Sequence, residues 1–165
     1  MWITSALVGW LRTLTLGAVI RTNEWVVPSL QCVHIVCLAL VLGLALMVNL
    51  RLIGVFAPKQ SLAALADRCV PWIWCLLMVL FTTGALLIVG EPRRALHSPA
   101  FGLKMLMLLI VSLITVFVHG RLHHNVQFWE LSAQRKSAAK LIGIASIVLW
   151  IGVVFAGRWI AYYRS

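Results

Sequence analysis

Few side chains in this sequence are able to do chemistry. Five histidines, four acids and four cysteines stand among 165 residues. His34 is the most informative. It follows Pro28 by about 9 Å if the segment is helical, at 1.5 Å rise per residue. It lies inside a run of 26 uncharged residues between Glu24 and Arg51. Ionisable groups in such a setting are costly to bury and often functional. Its imidazole suits a haem axial ligand, or a proton or quinone contact. The plainer alternative is a neutral histidine hydrogen-bonded to Gln31 or to a neighbouring hydroxyl.

His119, His123 and His124 form a second group. His119 and His123 are spaced i,i+4 and share a face if their helix continues. Two such imidazoles can hold Zn²⁺ or Cu²⁺, with Glu130 as a conceivable third ligand. The glutamate of an H-E-x-x-H motif is missing, so a metalloprotease is not indicated. The plainer reading is a polar helix end beside lipid headgroups. A third group is Glu91, Arg93, Arg94, His97 and Lys104. It fits an anionic ligand, a partner subunit, or a solvated loop whose exposed ion pairs each contribute about 0–1 kcal/mol. Serine-hydrolase, phosphate-loop and dinucleotide motifs are absent.

The elements that must carry these residues are apolar. Apolar types make up 62% of the chain and charged types 11%. The mean hydropathy is +1.01. A small soluble domain has too much surface to hide this composition. Lipid must be the solvent. Charges then mark the spans. Arg68 to Glu91 encloses 22 uncharged residues, Lys104 to Arg121 encloses 16, and Lys140 to Arg158 encloses 17. A spanning helix needs about 20. The third run is extended by Phe101, Gly102 and Leu103, with Lys104 snorkelling to the interface. The fourth continues through Trp159, Ile160 and Ala161. The expected spans are about 28–50, 71–90, 102–120 and 141–161. The fold class is all-α: a polytopic four-helix membrane bundle forming a single domain over 1–165. The runs are continuous and lack the alternation of a membrane barrel.

Residues 1–24 are too short of apolar length to span, because Arg12 and Arg21 interrupt them. Trp2, Ile3, Ala6, Leu7, Trp10 and Leu14 fall on one stripe. This predicts an amphipathic interfacial helix, or a short helix packed on the bundle's mouth. The segment lacks the basic start and cleavage site of a signal peptide. Trp25, Trp72, Trp74, Trp159, Tyr162 and Tyr163 lie near span ends, as an aromatic belt would. Trp150 is the exception, near mid-membrane.

A net charge of +10 raises nucleic acid as a partner. The bases sit at the ends of apolar runs, however, and no basic face or nucleic-acid motif accompanies them. Seven bases fall on each side of the membrane, so the positive-inside rule ties. Cys32, Cys37, Cys69 and Cys75 lie in or beside apolar runs and read as small hydrophobes without a disulfide. Ala39-x-x-x-Gly43 and Gly152-x-x-x-Ala156 permit close helix approach. Asn49 is placed to hydrogen-bond across helices. Thr82, Thr83, Ser112, Thr115 and Ser146 can satisfy carbonyls of their own helices. Glu24, Asp67, Glu91 and Glu130 all lie outside the spans, which disfavours carboxylate-driven pumping at mid-membrane.

Several motifs in order carry a resemblance. Helix one reads Gln31-Cys32-Val33-His34 and then Asn49-Leu50-Arg51-Leu52-Ile53-Gly54. Pro71-Trp72 follows at the start of helix two, then Glu91-Pro92, then Phe101-Gly102-Leu103-Lys104, and finally Gly157-Arg158-Trp159-Ile160-Ala161. The set resembles a bacterial family of small integral membrane proteins known only as a domain of unknown function. It spans nearly the whole chain. The resemblance implies a bacterial inner membrane and four helices, and supplies no reaction. This chain has Asn49 where family members usually have Asp, which puts any carboxylate role there in doubt.

Three functions are compatible with these residues. The first is a non-catalytic accessory or structural subunit of a membrane complex, with other membrane subunits or as a homo-oligomer. The second is a haem b or quinone-linked electron-transfer protein built on His34. The third is a small transporter or metal-handling protein built on His119, His123 and His124. His34 and His119 are not expected to share a haem. Their helices run in the same direction, and the two depths differ by roughly 15 Å on the helical rise. His97, in the loop on His34's side, is the expected second ligand.

Overall fold

In lipid a backbone hydrogen-bonds to itself, and a helix does this within one segment. Four long apolar helices result. The structure is a computed structural model; it describes residues 8–10, 13, 15–56, 61–92, 98–124 and 133–162. A short helix, α1 (Thr15–Thr22), leads into α2 (Val26–Ile53), α3 (Leu62–Gly90), α4 (Pro99–His124) and α5 (Ala133–Tyr162). The last four contain segments long and apolar enough to cross a membrane, with mean hydropathies of 2.2 to 2.5. α2 has 28 residues, about 42 Å at 1.5 Å per residue, against a hydrocarbon core of about 30 Å. The helices therefore outlast the apolar slab.

The helices run past the expected spans at both ends. α3 begins at Leu62, nine residues before Pro71. Ser61 caps it, its Oγ accepting a hydrogen bond from the Ala64 N–H at 3.1 Å, as an N-cap does. Pro71 is internal to the helix. It removes the N–H donor that would otherwise meet the Asp67 carbonyl. α5 likewise begins at Ala133, before the expected span. At the other end of α2, Gly54 adopts φ of 90°. Its N–H and that of Val55 return to the carbonyls of Arg51 and Leu50, closing the helix with a left-handed cap that glycine adopts without strain.

α2 packs on α3 and α5, and α4 packs on α3 and α5, so the four form a closed ring. Buried residues on α2 are Cys37, Val41, Ala45, Asn49 and Leu52, a stripe at helical spacing. Val41, Val111 and Val153 are sealed almost completely. Trp150 is buried with Cys37, Val41, Ala45, Ile73, Leu80 and Val111. Trp25, Trp72, Trp74 and Trp159 are exposed on the bundle's outside. The N-terminal segment packs at one end, where the Ile20 side chain would stand 3.0 Å from a Cβ on Gly90.

The close approaches are more selective than the small-residue spacing implied. A Cβ on Gly143 would meet Ile53 Cγ1 at 2.8 Å and the Asn49 carbonyl at 3.2 Å. Gly143 is thus where α5 crosses α2. Gly152 seats the Met107 sulfur, and Ala156 is buried. Ala39 and Gly43 are exposed, and a Cβ on Gly43 would meet nothing within 4 Å. That expected packing stripe does not join helices within this bundle. Gly143→Ala should destabilise the bundle by about 1–3 kcal/mol through overpacking. Gly43→Ala should be neutral or slightly stabilising, since alanine is the better helix former by about 1 kcal/mol. Unfolding of both variants in detergent checks the contrast.

Candidate functional site

His34 sits two turns inside α2, on the side facing α3. Its Nδ1 lies 2.8 Å from Thr83 Oγ1. Thr83 is buried, and its hydroxyl also stands 2.8 Å from the Val79 carbonyl and 3.2 Å from the Leu80 carbonyl. A carbonyl only accepts, and a hydroxyl has one proton. The short contacts to those carbonyls assign that proton to α3. With this assignment the Thr83 oxygen accepts from His34 Nδ1–H, the ring proton is held on Nδ1, and Nε2 keeps a lone pair.

Two further elements complete this end. Gly84 leaves room for the ring: a Cβ there would stand 3.5 Å from His34 Cε1. Lys104, one turn into α4, is half-buried. Its stem and ammonium run along Gly157 of α5, with Nζ 3.5 Å from the position of a Cβ. Residues of α2 and α3 thus surround the imidazole, and residues of α4 and α5 the ammonium, at the same end of the bundle. The Lys104 methylenes pack along the helix surface that glycine at 157 leaves open, as the stem of a snorkelling lysine does.

The other expected ligands are placed differently. His97 lies outside the described residues, within the connection that joins α3 to α4 at the His34 end. His119 faces Asp67 across the bundle, Nδ1 to Oδ1 at 3.9 Å. That is longer than a direct hydrogen bond. The side chains of His123 and His124, and all of Glu130, lie outside the described residues. Among the described residues, no three His, Cys, Asp or Glu side chains converge as a metal site. The four cysteines are free thiols.

His34 and His119 do not meet. Their partners Thr83 and Asp67 stand on one helix, sixteen residues apart, or about 24 Å at the helical rise. No single iron reaches both imidazoles. Asn49 Nδ2 donates one proton to the Ala45 carbonyl of its own helix at 2.8 Å. Thr82 and Thr115 bond the carbonyls of Met78 and Val111 in their own helices, as expected. Thr83 does so as well, and it is the hydroxyl that holds His34. Sequence spacing could not single it out, because the two residues stand 49 positions apart.

The fold and this site define a multi-pass α-helical membrane protein with an oriented imidazole near one end of its bundle. Residues 7–163 match the model of a family described as "Family of unknown function (DUF6644)", and the chain belongs to that family. No curated protein and no solved structure matches it.

The tautomer is directly measurable. Side-chain ¹⁵N spectra of His34 should show a neutral ring protonated at Nδ1. Thr83→Val should abolish that preference and destabilise the bundle by about 1–3 kcal/mol, the cost of leaving a buried donor without a partner. A wild-type ring protonated at Nε2 would contradict the geometry.

Proposed function

We propose that this protein is a small membrane electron-transfer protein that seats haem b at the His34 end, with His34 Nε2 as axial ligand. The observation that carries the reading is the hydrogen bond from Nδ1 to Thr83. Metal-binding histidines characteristically donate their other ring nitrogen to an acceptor, which fixes the tautomer and aims the lone pair. Lys104 adds a cation at the same end. Among the described residues it has neither an ion pair nor a hydrogen bond, so a haem propionate is a natural counter-charge. His97 belongs to the connection at this end and is the proposed second ligand. The bacterial inner membrane is the proposed location, on the strength of the motif resemblance.

A second reading uses the same lone pair. Nε2 can accept a proton from a quinol hydroxyl, while the Lys104 ammonium can donate to a quinone carbonyl. It cannot donate to a carbonyl itself in this tautomer. In the accessory-subunit reading the His34–Thr83 pair is a structural hydrogen bond, and the half-buried Lys104 has no assigned role. The metal-handling reading depends on His123 and His124 and gains no support from the described residues.

An absorption spectrum of the purified protein separates these. With adequate haem supply, the dithionite-reduced protein should show a b-type α band at about one haem per chain, as single-site ligation requires. His34→Ala should bleach it. Thr83→Val should weaken haem retention by about 10-fold or more, as loss of an outer-shell partner does. Lys104→Gln should weaken retention and leave the band position unchanged. A colourless wild type that binds a ubiquinol analogue only when His34 is present would favour the quinol reading. A colourless protein with no such binding would remove His34 from both.

A further inference from the structure

The opposite half of the bundle holds a different site. A cavity of about 20 Å³ lies among all four long helices. One water needs roughly 10–15 Å³ measured this way, together with two to four polar partners. The polar lining is Asn49 from α2, Thr115 and His119 from α4, and Ser146 from α5. The rest is aliphatic, and His119 is the only titratable lining side chain.

The hydrogen-bond capacity of this lining exceeds what the protein itself uses. Asn49 is 8% exposed. One of its amide protons goes to the Ala45 carbonyl, which leaves a second proton and the side-chain oxygen for another partner. The Thr115 hydroxyl gives its proton to the Val111 carbonyl and keeps lone pairs to accept with. Ser146 is 1% exposed. One turn along α5 from Ser146, the buried Trp150 indole N–H has no hydrogen-bond partner. Buried polar groups are nearly always satisfied, by ordered water where protein does not reach.

We propose that this cavity binds one ordered water molecule, bridging Asn49, Thr115 and Ser146, with His119 at its rim. Asp67, half-exposed, stands beside His119. On the inner side, Val41, Val111 and Trp150 close the way towards His34. The water therefore exchanges with the aqueous phase on the His119 side. None of this depends on a ligand at His34.

The test is water-edited solid-state NMR on the full chain in liposomes. It reads magnetisation passing from water to the Asn49 side-chain amide. Wild type should show the transfer. Ser146→Ala, which leaves the cavity open, should keep it. Ser146→Val, whose added methyl groups occupy the cavity, should lose it. Absence of transfer in wild type would make the cavity a dry void and overturn the proposal. Transfer that survives Ser146→Val would place the water elsewhere and overturn it equally. The wild-type reading stands alone should the valine variant fail to fold.

Discussion

Everything in this bundle answers to one constraint: inside lipid, no polar group can turn to water. The backbone satisfies it by helix formation. Side chains must satisfy it by choosing partners. Thr82, Thr83 and Thr115 do so by bonding the preceding turn of their own helices. Asn49 does the same with one amide proton. Each such bond uses up a hydroxyl or amide proton, and so decides what the remaining lone pairs can do. Thr83 is the clearest case. Because its proton is committed to α3, its oxygen can only accept, and that fixes the proton on the His34 ring.

Among the described residues, the titratable and cavity-lining polar groups gather at two levels. At one end stand His34, Thr83 and Lys104, each from a different helix. At the other stand Asn49, His119, Ser146 and Asp67. Between them lies an apolar layer around Val41, Leu80, Val111 and Trp150. Glycine permits both levels. Gly84 and Gly157 make room for the imidazole and the lysine stem, while Gly143 brings α5 against the Asn49 turn of α2.

Much of this was legible in the sequence. Uncharged run lengths fixed the number of spans, because hydrocarbon thickness sets a minimum length. They did not fix where helices begin. α3 starts at Leu62, capped by Ser61, by a rule that hydropathy does not register. His34 stood out as a lone imidazole in an apolar run. Its partner did not, since any of several hydroxyls could have served and only the pairing of α2 with α3 selects Thr83. The mismatch in depth between His34 and His119 was readable from the helical rise alone. The course of Lys104 along Gly157 depends on a helix neighbour that no local pattern reveals. Ala39 and Gly43 carried a packing motif on a face that meets no other helix of this chain.

The dry layer has an electrical meaning. A membrane potential falls across the material of lowest dielectric constant, and each elementary charge moved through it exchanges about 2.3 kcal/mol per 100 mV. Val41 and Val111, sealed from solvent, make this layer the insulator of the bundle. His34 and His119 stand on opposite sides of this layer, so a charge placed at one and a charge placed at the other feel different fractions of the membrane voltage.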